Sequence, residues 1–75
     1  MRFLKNGDYI KAIASFKEST RTNPKDAHAH YNLGYGYSEL GRHPEAILSF
    51  REATQIRPNY ADAYLGLGYT YEKIK

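Results

Sequence analysis

The chain has 75 residues, eleven Lys or Arg against eight Asp or Glu, a net charge of +3 and no cysteine. That length allows one small domain with a thin core, and the missing thiols exclude disulfides and thiolate metal sites. The mild positive charge is scattered rather than gathered into a nucleic-acid stripe, and no apolar run approaches membrane-spanning length. Eight Tyr and three Phe, with no Trp, supply large apolar area with polar tips. That suits half-buried grooves and interfaces. Residues 1–5 are too short for a signal peptide, and with the absence of Cys this sets cytoplasmic location as the expectation.

In chain order, Gly7 is suited to ending a helix in the left-handed conformation, and Asp8 to capping the next one. Over residues 9–22, apolar or small side chains fall at Ala12, Ile13, Phe16, Ser19 and Thr20. This i, i+1, i+4, i+7, i+8 spacing makes one stripe of an amphipathic helix. Pro24 disfavours helical geometry at Asn23 and breaks it. Asp26 can cap the helix that follows.

That second helix is predicted over 27–40, about 21 Å long at 1.5 Å per residue. One stripe runs His30, Leu33, Gly34, Tyr37 and Leu40. The other runs His28, Tyr31, Asn32, Tyr35 and Glu39. Both carry aromatics, so one face packs on a partner helix and the other is left over. Gly41 ends this helix. Pro44 sits where a first-turn proline is tolerated in the third, whose stripe is Ala46, Ile47, Phe50, Ala53 and Thr54. Arg57-Pro58-Asn59 is the second break. A last helix, 61–74, presents Tyr64, Leu67, Gly68, Tyr71 and Ile74 for packing. Gly34-Tyr35-Gly36-Tyr37 alternates over four residues only and lies inside a 3.6-period pattern, so no strand competes.

Shifting the chain by 34 residues pairs 1–41 with 35–75 and yields 14 identities in 41 pairs without a gap. They include Ala12/Ala46, Phe16/Phe50, Pro24/Pro58, Leu33/Leu67, Gly34/Gly68 and Tyr37/Tyr71. A period of that length points to a solenoid of stacked units. By the same shift, residues 1–5 read as the tail of a preceding helix.

Leu33-Gly34-x₂-Tyr37, Ala46-x₃-Phe50 and Pro58 resemble the tetratricopeptide repeat, aromatic-x₂-Leu-Gly-x₂-Tyr, Ala-x₃-Phe, Pro. His30 departs from it, standing where the pattern prefers Trp. The resemblance spans nearly the whole chain. It implies an all-α, right-handed superhelical solenoid of helical hairpins with about two repeat-equivalents. Residues 1–26 form a partial first repeat (the end of its first helix and all of its second), 27–60 a complete repeat, and 61–75 the first helix of a further one. Neither end looks capped, so a segment of a longer array, or a deliberately minimal unit, is expected. A mid-helix Gly costs about 1 kcal/mol relative to Ala. Gly34 and Gly68 are therefore expected to mark close helix approach, with Phe16 and Phe50 as interhelical knobs.

In proteins of this pattern the first helix of each unit lines a concave surface that takes an extended peptide or a helix. Carried over by residue, that surface is His28, Tyr31, Asn32, Tyr35 and Glu39, then Asp62, Leu65, Tyr69, Glu72 and Lys73. A solvated or inter-repeat packing role is the alternative for each. Asn32 has an amide able to donate and accept to a peptide backbone, but its counterpart is Gly66, so no Asn ladder exists. The subfamily that clamps carboxylate termini needs Lys and Arg here. His28, Asp62 and Gly66 stand in those places, and Asp62 would repel a carboxylate.

Other chemistry finds little support. His28 and His30 point to different faces, so no metal site is expected. The carboxylates are spread singly, so no general acid/base pair is expected and the chain does not read as an enzyme. Gly34-Tyr35-Gly36 follows no strand and precedes no Lys-Ser/Thr, so it is no phosphate loop. Lys11, Lys17, Arg21, Arg42, Arg51 and Arg57 read as a solvated face rather than an RNA patch. The expected function is protein–protein interaction, with no cofactor, no nucleic acid and no membrane insertion. Two alternatives stand beside groove capture: self-association into a homo-oligomer through uncapped ends, and service as an accessory domain of an enzyme such as a transferase.

Overall fold

A computed structural model describes residues 6–74. Four helices follow one another: α1 (Asn6–Thr22), α2 (Ala27–Glu39), α3 (His43–Ile56) and α4 (Ala61–Lys73). Among the described residues there is no strand. No helix among them is long and apolar enough to cross a membrane. Each helix packs on its neighbour in sequence, and α2 also reaches α4. This is the stacking of helical hairpins that the 34-residue period implies.

The turns follow from local chemistry. Asp26 adopts extended backbone geometry and its carboxylate accepts from the amides of His28 at 3.1 Å and Ala29 at 3.3 Å. Two amides left unpaired at the α2 N-terminus are thereby satisfied. At the other end Gly41 has φ +78°. Its amide donates to Ser38 O at 3.0 Å and the Arg42 amide donates to Tyr37 O at 2.9 Å. These are the paired bonds of a Schellman cap, whose left-handed residue a side chain disfavours. Pro44 falls in the first turn of α3, where it forfeits no intrahelical bond.

The core is Ala27, Ala46, Phe50, Ala53, Tyr60 and Ala63, with Tyr31, Tyr37, Ile56 and Leu67 packed on it. Small residues on three helices bring the backbones together around one large ring, Phe50, which is 2% exposed. Its repeat counterpart Phe16 is only half-buried. The two predicted knobs are therefore unequal.

Several expectations are corrected. Gly7 and Asp8 lie inside α1 rather than at a turn before it, and Gly7 lacks the positive φ expected of a helix-ending glycine. Nothing stands within 4 Å of a Cβ built on Gly7, so no packing forces the chain to turn there. The preceding helix tail expected over 1–5 lies outside the described residues. Close approach occurs at Gly34 but not at Gly68, where a Cβ would meet nothing within 4 Å. Gly34 faces Phe50 of the helix that follows it, and among the described residues no helix stands to Gly68 in that way. For the same reason Tyr64, Tyr71 and Ile74, expected to pack, are half-exposed.

Candidate protein-binding groove

Six of the ten residues predicted for the concave surface converge on one cavity. It holds about 310 Å³ and is lined by Tyr31, Tyr35, Glu39, Asp62, Leu65 and Tyr69, with Ser38, Gly66 and Phe50 completing it. Helix α2 contributes Tyr31, Tyr35, Ser38 and Glu39, spaced i, i+4, i+7, i+8. Helix α4 contributes Asp62, Leu65, Gly66 and Tyr69, spaced i, i+3, i+4, i+7. Each set is one helical face, and the two faces flank the groove because the helices come from successive units. The volume is at the small end for a ligand pocket, room for one or two side chains.

The floor explains why the cavity lies here. A Cβ built on Gly66 would stand 2.6 Å from Cζ of Phe50. The bare glycine admits the ring edge, and the aromatic floor rises between the helices. At the corresponding place in the preceding unit stands Asn32, half-buried and outside the cavity lining. The closeness of Gly66 to Phe50 has no signature in the 34-residue matches, where Gly66 stands only as the counterpart of Asn32.

Tyr31 divides its ring between core and groove, which corrects its placement on the left-over face. Its centroid lies 5.7 Å from that of Phe50 and 5.4 Å from that of Tyr60. His28 stacks on its outer side, centroids 6.3 Å apart and planes 14° from parallel. Burial raises the Tyr31 phenol above its ordinary pKa, with the Asp62 carboxylate and Tyr35 adding to the rise. Tyr60, the counterpart of the capping Asp26, is a core residue at 7% exposure. Arg57 lies over its ring, 4.5 Å from the centroid. Tyr60 lies in the break before α4, outside every apolar stripe, so no periodic signal marks it as core.

Tyr35 and Tyr69 remain 49% and 56% exposed. The Tyr35 ring meets Tyr9 of α1 edge to face at 6.4 Å. Lys73 lies outside the lining, with its Nζ 5.1 Å from the centroid of Tyr69. His28 and Glu72 likewise lie outside it. The lining carries two carboxylates, Glu39 and Asp62, and no Lys, Arg or His.

A second, wider depression of about 770 Å³ lies on the opposite side, lined by α1, α2 and α3. Leu33, Tyr37 and Leu48 form its apolar part, and Lys17, Arg21, Glu18 and Glu45 its rim. Of these, Arg21 is hydrogen-bonded to Glu18, and Glu45 pairs with Arg42. Among the described residues no group of three or more His, Cys, Asp or Glu is placed to hold a metal ion.

Comparison with curated proteins finds no match. A family profile described as TPR repeat matches residues 2–41 and again 34–75, two overlapping stretches that take in the paired helices and the groove between them. With that match over nearly its full length, the chain belongs to the TPR repeat family, whose repeats generally mediate protein–protein interaction.

Proposed function

We propose that this chain is a non-catalytic interaction module that holds a segment of a partner polypeptide in the groove between α2 and α4. The observation that carries this reading is the convergence of Tyr31, Tyr35, Glu39, Asp62, Leu65 and Tyr69 on one cavity. Tyr35 and Tyr69 are large, half-exposed and equivalent in the two units. Aromatic side chains of this kind anchor interfaces, because they bury much apolar area for little lost rotamer freedom. A peptide-array screen identifies binders, and the Tyr35→Ala, Tyr69→Ala double variant is then measured against them. Loss of binding supports the groove. Unchanged binding places the interaction elsewhere.

A second reading rests on a different observation. The outer side of α4 leaves Tyr64 50%, Tyr71 46% and Ile74 49% exposed, beside a Gly68 with open space where a Cβ would be. That face suits self-association. Sedimentation over a concentration series tests it, and a monomer at the highest concentration removes it.

A further inference from the structure

The chain carries a net charge of +3, yet the groove lining is acidic. Glu39 from α2 and Asp62 from α4 are its charged members, one on each wall. Neither has a cationic partner among the described residues. The ion pairs found there join Arg21 to Glu18 and Arg42 to Glu45. Asp26 is used as a cap. Asp62 lies in the first turn of α4, where the helix dipole stabilises its charge. The rings of Tyr31, Tyr35 and Tyr69 line the same cavity, together with Phe50.

We infer that the groove selects a partner segment whose anchor is a single Arg or Lys side chain, drawn by the lining carboxylates Glu39 and Asp62 and set against the tyrosine rings. This rests on the groove reading above and adds the chemistry of the occupant. Three physical features combine. A cation over a tyrosine face is attracted by the ring quadrupole. Lys73 over Tyr69 shows that a ring of this groove already takes an ammonium on its face. The two carboxylates of the lining attract a positive head, and the methylene stem of Arg or Lys covers the apolar floor. An acidic anchor meets like charge on both walls. A purely apolar one leaves two carboxylates partly desolvated without compensation.

The test is a random phage-displayed peptide library panned against this chain, with enriched sequences remade as acetylated, amidated peptides. The expected binders share one Arg or Lys at a fixed place beside an apolar residue. Replacing that residue by Gln weakens binding about fivefold or more, the scale of an exposed ion pair with a cation–ring contact. Asp62→Asn and Glu39→Gln each weaken the Arg or Lys peptide and leave its Gln version nearly unchanged. Raising the ionic strength weakens the charged peptide selectively.

Binders that lose affinity with Tyr35→Ala and Tyr69→Ala, yet show no basic anchor and no response to Asp62→Asn, overturn the charge selection and keep the groove. Binders indifferent to the tyrosine variants overturn the groove itself, and the inference with it. A library yielding no binder counts against both.

Discussion

The ring of Phe50 lies against the backbone of Gly66, so close that a Cβ on that glycine would stand 2.6 Å from Cζ. On the opposite side of the same ring a Cβ on Gly34 would stand 2.7 Å from Cδ1. One phenyl group is thus wedged between two helices of successive units, and both have surrendered a side chain to admit it. Gly34→Ala and Gly66→Ala must displace a ring with nowhere to go, and overpacking of that kind costs roughly 1–3 kcal/mol. Gly68→Ala meets open space and should gain up to about 1 kcal/mol from helix propensity alone. Urea unfolding of the three variants should therefore show opposite signs. A Gly66→Ala protein as stable as Gly68→Ala would remove the wedge.

Phe50 and Phe16 occupy the same place in the repeat but not the same environment. Phe50 is 2% exposed, whereas Phe16 is only half-buried. Truncating a buried Phe to Ala costs roughly 3–5 kcal/mol. In a chain this short that is as much as a small core supplies, so Phe50→Ala should show no cooperative thermal transition by circular dichroism. Phe16→Ala should keep one, at a lower midpoint. Equal losses for both would mean that the second knob is also part of the core.

How much was legible beforehand follows from these residues. The period, the four helices and the breaks at Pro24 and Pro58 are features the repeat prints twice, and the caps Asp26 and Gly41 are legible from local chemistry. Six of ten groove candidates converge because a single helical face is a matter of spacing. What was not legible is where the copies differ. Gly66 replaces Asn32, Tyr60 replaces Asp26, and Gly68 has no ring against it although Gly34 does. Each depends on which helix stands opposite, a tertiary fact that self-comparison averages away. Thr70 shows the same limit. It is fully buried and its hydroxyl donates to Gly66 O at 2.7 Å, while its counterpart Gly36 is buried against Ile13 with no side chain to bond.

Gly7 and Gly41 match in the repeat, but their backbones differ. Gly41 has φ +78°, where an L side chain costs roughly 1–2 kcal/mol. Gly7 is helical and nothing lies within 4 Å of its would-be Cβ. Gly41→Ala should accordingly lower the melting temperature. Gly7→Ala should hold or raise it, with a stability gain of up to about 1 kcal/mol. Differential scanning calorimetry on the two variants checks the pair. A destabilised Gly7→Ala would put a left-handed turn back at that position.

The tyrosines of the core set a direction for alkaline stability. Burial raises the Tyr31 phenol above its ordinary value of 10.0, and Asp62 and Tyr35 push the same way. Burial also raises Tyr60; Arg57 opposes this, while Tyr31, Asp62 and Asp26 reinforce it. Both groups thus hold their protons more tightly in the folded chain than in the unfolded one. Above pH 10 the unfolded state binds fewer protons, so the slope of unfolding free energy with pH is negative. Stability owed to these phenols is complete below the unfolded pKa and is lost as pH rises towards the folded value. Urea unfolding on either side of pH 10 should show the wild-type midpoint falling. Tyr31→Phe and Tyr60→Phe have no phenol to ionise and should each flatten that fall. A decline as steep in both variants as in wild type would show that ionisation of other groups controls the alkaline limit.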